Sequence, residues 1–145
     1  MIGKIVKIRV HYYDASTRTT KFKVRPALVI SGYGSIDTDY IVLPISKISR
    51  AQHRSHEYDL PIDPSTYPLS KLTVYSYIRC HKQATIARAD IIGEISDFKT
   101  DYPDKYLEII SLVEKFDDEK VYQSLIWALA PLGASFYFSN FDNIS

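Results

Sequence analysis

The chain has 145 residues, 46% hydrophobic and 24% charged, with a formal net charge of +1. That length suits one globular domain with a single sizeable core, and no apolar run reaches bilayer-spanning length. A lone cysteine, Cys80, excludes an intramolecular disulfide and a cysteine-rich zinc site; with no signal peptide visible, a reducing cytoplasmic setting is expected.

The charge is uneven. Residues 1–56 hold ten Lys/Arg against three Asp/Glu, net +7, whereas residues 57–145 hold eight against fourteen, net −6. A basic half points to a polyanionic partner; the plainer reading is that the acidic half pairs with it. Tyrosine is abundant, twelve against one Trp and six Phe, which favours strands and interfaces where the ring is covered and the hydroxyl wet.

Residues 4–13 alternate apolar and charged side chains, with a shift at Val6, and predict a half-buried strand. Residues 14–20 are polar and rich in Ser and Thr, a loop. Residues 22–31 and 40–46 predict the second and third strands, joined by a flexible turn at Gly32-Tyr33-Gly34-Ser35. Residues 47–55 are basic and polar, with room for a short helical turn. Residues 58–62, 72–80, 83–87 and 91–96 read as further strands, with a turn at Asp63-Pro64-Ser65. The pattern then becomes helical. Thr100 or Asp101 can cap a helix with Pro103 in its first turn and Tyr106, Ile109, Ile110, Val113 and Phe116 on its apolar face. Asp117 or Asp118 can start a second helix through Leu129, stopped by Pro131 and Gly133. Residues 136–141 are aromatic.

Strands first and helices last predict a mainly β, α+β fold: a small barrel over about residues 1–98, helices over about 101–130 and a tail over 131–145, all one domain. Two strands stand out. Lys23-Val24-Arg25-Pro26-Ala27-Leu28-Val29-Ile30-Ser31 places an arginine before a proline, which forces Arg25 into an extended conformation. Tyr40-Ile41-Val42-Leu43-Pro44-Ile45-Ser46 ends on a hydroxyl. Proline cannot donate to a ladder and belongs at strand starts, edges or bulges. A guanidinium and a hydroxyl at two strand ends suit a phosphate.

These runs resemble the "RPALV" strand of the MazF/PemK (Kid) family of type II toxin–antitoxin ribonucleases and its following strand, which ends in Thr or Ser. Tyr77-Ile78-Arg79-Cys80-His81-Lys82-Gln83-Ala84-Thr85-Ile86 is similar to the PemK-type stretch "VRCDQPRTI". Ile91-Ile92-Gly93-Glu94-Ile95-Ser96 resembles the closing strand "KIGKLS". The resemblance spans about residues 3–116 and implies an SH3-like barrel of the MazF/PemK–CcdB type, so that residues beyond 117 form a C-terminal helical extension.

The resemblance implies a toxin that cleaves single-stranded RNA without a metal or other cofactor, forms a homodimer and is inhibited by a cognate antitoxin. Arg25 then takes the catalytic arginine position, Ser46 the catalytic Thr/Ser position, and Arg79 and His81 the acid–base pair. His81 departs from the family's aspartate there. Alternation puts Arg79 and His81 on one strand face, and an imidazole titrating near neutrality is a competent base. Arginine is a poor base, so Arg25 is read as a clamp on the phosphoryl oxygens. The basic residues Arg18, Lys21, Lys23, Lys47, Arg50 and Arg54 flank these ends and are candidate RNA contacts, as is Thr85, retained from the family's "QPRT" element. Tyr12, Tyr13 and Tyr33 are candidate stacking platforms. The family's His-Glu-Gln loop element is missing from residues 14–20. Two alternatives stay open: a non-catalytic RNA- or protein-binding member of the same barrel, and a gyrase-inhibiting CcdB-like toxin acting through the terminal aromatic segment.

Overall fold

A computed structural model describes residues 1–32 and 39–132. The expected turn with Tyr33, the helix stop at Gly133 and the aromatic segment 136–141 lie outside the described residues.

Among the described residues seven strands form: β1 (Ile5–Asp14), β2 (Thr19–Gly32), β3 (Asp39–Ser46), β4 (Asp59–Ile62), β5 (Ser76–Arg79), β6 (Ala84–Ala87) and β7 (Ile91–Ser96). All their pairings are antiparallel. They run in the order β4-β5-β3-β2-β1-β7, with β6 attached to β3. Strand β3 therefore carries β2 on one edge and, in succession, β6 and β5 on the other. Two partners on one edge cannot lie flat, and the sheet curls into a half-barrel.

β1 and β2 make a long hairpin, in register from Ile5↔Leu28 to Asp14↔Thr19. The loop expected over residues 14–20 shrinks to residues 15–18. Asp14 closes it early: its carboxylate accepts from the Ser16 N–H (2.9 Å) and hydroxyl (2.6 Å) and pairs with Lys21 at 2.8 Å. The Lys21 contact, more than those from Ser16, holds the Asp14 carboxyl well below the usual carboxylate range. Arg18 completes the turn in the left-handed region, φ 54°.

Pro26 lies inside β2, opposite Lys7. Pairing with β3 starts one residue later, at Ala27↔Pro44, so the missing N–H costs no ladder bond there. The strand expected from residue 72 begins only at Ser76. Just before it, a 3-10 turn over Pro68–Ser70 ends on Lys71 in the left-handed region, φ 59°.

The sheet is covered on both faces. On one, Val6, Ile8, Ala27, Val29 and Val42 cluster with Tyr40, Ala84, Ile86 and Ile91 packed against them. On the other, Ile5, Leu28, Leu43, Ile45, Ile62 and Ile78 are buried, as are Phe98, Tyr106, Ile109 and Val113 from the helices. Ile5 and Val6 are consecutive yet both buried, because each face is covered at that end; this is the break in alternation seen in the sequence. Gly3 has φ 85°, and a Cβ there would collide with the Lys99 side chain, so only glycine fits where the N-terminus crosses the first helix.

Helix α1 (Phe98–Asp101), not expected from the sequence, is capped by Asp97, whose carboxylate accepts from the Thr100 N–H at 3.4 Å; Thr100 and Asp101, expected to cap the helix that holds Pro103, lie inside α1. Two helices were expected over about residues 101–130. One helix, α2 (Pro103–Leu129), forms instead. Asp117 and Asp118 fall in its middle, and no proline or glycine between 104 and 129 interrupts it. The chain divides into two compact units, Met1–Val113 and Glu114–Ser145. Among the described residues no helix is long and apolar enough to cross a membrane.

Phe98 is fully buried. Replacing it by alanine is expected to destabilise the protein by about 3–5 kcal/mol, measurable by urea unfolding. Cys80 is also fully buried, and burial, aided by the Asp59 charge, pushes its thiol up to about 12. It is expected to resist a thiol-specific alkylating reagent in the native protein and to react at once in denaturant; fast labelling of the folded chain would contradict this burial.

Candidate active site

Register decides which side chains share a face. Opposed residues of antiparallel strands point the same way, and the direction alternates along each strand. Ile8↔Arg25, Ala27↔Pro44, Ser46↔Tyr77 and Asp59↔Arg79 are opposed pairs. Arg25, Ser46, Tyr77, Arg79 and Asp59 therefore lie on one face of the curled sheet. It is the face whose other end holds the Val6–Val42 cluster.

Arg25, Ser46 and Lys47 line a cleft of about 380 Å³ with an apolar floor that includes Ile8, Pro44 and Ile86. Arg25 is exposed. Along the hairpin, Lys23 and Lys21 continue the same face at two-residue spacing. Lys23 lies 4.7 Å from the centre of the Tyr12 ring, and Lys21 pairs with Asp14. Lys21 is about 13 Å along the strand from Arg25, and Arg18 is further out, in the hairpin turn.

The segment over residues 47–56 runs back across this face through a 3-10 turn at Ala51–His53. Arg50 precedes the turn and is exposed. Arg54 follows it and lays its guanidinium 4.7 Å from the centre of the Tyr77 ring. The His53 carbonyl accepts from Arg79 Nη2 at 2.9 Å, and the Ser55 N–H donates to Asp59 Oδ2 at 2.7 Å.

Arg79 and His81 meet at a residue that sequence reasoning missed. The Asp59 side chain is wholly buried, and its Oδ1 accepts from Arg79 Nε at 3.1 Å and lies 3.6 Å from His81 Nδ1. A carboxylate inside the short apolar run Tyr58–Ile62 was the available signal, because such a group is buried only with partners. Burial keeps the His81 imidazole below its ordinary pKa; Asp59 opposes this, while Arg79 and Lys82 reinforce it. The Tyr58 ring is 6.0 Å from the imidazole, centre to centre.

The predicted residues thus fall into groups. Arg25, Ser46 and Lys47 share the cleft. Arg79 and His81 are gathered at Asp59, further along the same face, with Tyr77 and Arg54 between. Lys21 and Lys23 extend the face along the hairpin. Thr85 does not join them: Ile41↔Thr85 alternates with Tyr40↔Ile86 and Val42↔Ala84, so Thr85 is on the opposite face and exposed. Among the described residues, no group of three His, Cys, Asp or Glu side chains could hold a metal ion.

The fold is a curled antiparallel half-barrel with a C-terminal helix and a cationic cleft at one end of its face. A family model described as "PemK-like, MazF-like toxin of type II toxin-antitoxin system" matches residues 2–113, and the chain belongs to that family. Membership implies an antitoxin partner. The match ends where the first compact unit ends. Among curated proteins, none matches this chain.

The two arginines make opposite predictions for stability. Arg79→Met strands a buried carboxylate and is expected to cost about 3–5 kcal/mol. Arg25→Ala touches an exposed group and is expected to stay within about 0.5 kcal/mol of the parent. Denaturant unfolding of the pair checks this; equal losses would mean that Asp59 does not depend on Arg79.

Proposed function

We propose that this toxin is an endoribonuclease that cleaves single-stranded RNA by attack of the 2′-hydroxyl on the adjacent phosphorus, acting in the cytoplasm without a metal. The observation that carries the reading is the single cleft lined by Arg25, Ser46 and Lys47, at the base of a hairpin face that continues with Lys23 and Lys21.

Arg25 clamps the phosphoryl oxygens, where preformed donors act most strongly on charge that develops in the transition state. The Ser46 hydroxyl donates to the same group, and Lys47 neutralises the adjoining phosphate. His81, neutral because burial disfavours its charge, accepts the 2′-hydroxyl proton. The O2′–P bond forms, the P–O5′ bond breaks, and water supplies the proton taken by the departing oxygen. The products are a 2′,3′-cyclic phosphate and a 5′-hydroxyl end. Arg79 is not the acid in this scheme, because its guanidinium is committed to Asp59 and the His53 carbonyl and does not lose a proton. A homodimer and masking of the cleft by the antitoxin complete the reading.

A second reading has one observation in its favour: His81 does not line the Arg25 cleft, which would suit a member that binds RNA without cutting it. Labelled single-stranded RNA incubated with the protein in EDTA separates the two. Cleavage with cyclic-phosphate ends is expected. Binding without cleavage favours the second reading.

Arg25→Ala is expected to lower cleavage at least a hundredfold and to abolish growth inhibition while the melting temperature is unchanged. Equal cutting by variant and parent would remove Arg25 from the site. The pH profile has a defined sign. A base with a depressed pKa is active above it and is lost as pH falls through it, so kcat/KM should stay flat near neutrality and decline only on the acid side of the ordinary imidazole range. His81→Ala should abolish that acid limb.

A further inference from the structure

We propose that Asp59 is a positioning residue for the reaction, its carboxylate orienting the His81 imidazole through Nδ1 while it holds Arg79 alongside. The proposal rests on the ribonuclease reading above and adds to it a group that never touches RNA.

Three observations converge. First, the Asp59 side chain is fully buried, in a strand whose neighbours are apolar. Apolar residues of similar volume in place of a buried ion pair are commonly neutral or stabilising, so stability alone does not account for a charge there. Second, the carboxylate cannot turn away. Oδ2 is pinned by the Ser55 N–H at 2.7 Å, and Oδ1 takes Arg79 Nε at 3.1 Å. The backbone adds to this, since the Asp59 N–H donates to the Ser55 carbonyl at 3.0 Å. Third, the fixed Oδ1 faces His81 Nδ1 at 3.6 Å. That separation is looser than a hydrogen bond, as catalytic contacts often are before substrate arrives.

The chemistry follows from which nitrogen faces the acid. A carboxylate beside Nδ1 favours the tautomer with its proton there, which makes Nε2 the basic nitrogen of the ring. Once Nε2 is protonated, the ring carries a positive charge that burial, Arg79 and Lys82 all oppose. Asp59 favours that charge, and the Tyr58 ring beside the imidazole is neutral. The carboxylate thus sets the orientation of the base and steadies its charged form, and it neither gives up nor takes the travelling proton.

Nitrogen NMR of the intact chain tests this without RNA. Above its titration, His81 of the parent is expected to carry its proton on Nδ1; a proton on Nε2 instead overturns the proposal, whether or not any variant folds. In Asp59→Asn, the His81 titration is expected to move to lower pH. Its kcat/KM on single-stranded RNA is expected to fall about ten- to hundredfold, with the acid limb moving in the same direction. An unmoved titration overturns the proposal, because a residue that merely supports the fold would leave the ring nitrogens as they were. Should the parent protein cut no RNA while its tautomer and titration behave as stated, the Asp59–His81 pairing stands and the ribonuclease reading falls.

Discussion

Everything in this protein depends on how many neighbours β3 must satisfy. One edge is occupied by β2 and the other is divided between β6 and β5. The division bends the sheet, and the bend lets one face serve two purposes. At one end it closes over Val6, Ile8, Ala27, Val29 and Val42; at the other it stays open around Arg25 and Ser46. A slip of one residue between β2 and β3 would send the guanidinium and the hydroxyl to opposite sides. The apolar cluster that shares their face penalises such a slip, so the same burial that stabilises the barrel also aligns the cleft.

The two arginines on this face have different environments. Arg25 is exposed, and its charge is available to whatever enters the cleft. Arg79 is surrounded by Asp59 and the chain that crosses at His53, and its charge is already answered. Cations of the hairpin and of the crossing segment are likewise held by neighbours. Lys23 rests on Tyr12, Lys21 on Asp14, and Arg54 on Tyr77. Cations held by rings and by a turn carboxylate lose less rotamer freedom when they meet a polyanion than cations waving in water.

Much of this could be read from the residues in order. Apolar runs and alternation located the seven strands of the described residues, and the resemblance of four short stretches named the family. Arg25 before one proline and Ser46 past another, singled out in the sequence, both line the one cleft. What escaped was set by contacts distant in sequence. Asp59 looks like any charged residue in a strand until β4 pairs with β5 and brings Arg79 opposite it. Thr85 was assigned by a motif, but faces follow pairing, and its partner Ile41 turns it away. The bend before Ser76 hides behind residues with strand-like side chains. The continuous helix hides behind two aspartates that resemble a cap but need no capping in mid-helix.

The sealed position of Cys80 has a consequence of a different kind. Peroxide and related oxidants attack sulfur as thiolate, and the first product on that path is a sulfenic acid. A thiol that keeps its proton through the whole physiological range, behind a closed wall of side chains, offers them no nucleophile. Cys80, between Arg79 and His81 in the chain, is therefore a poor target for such oxidants while the protein stays folded.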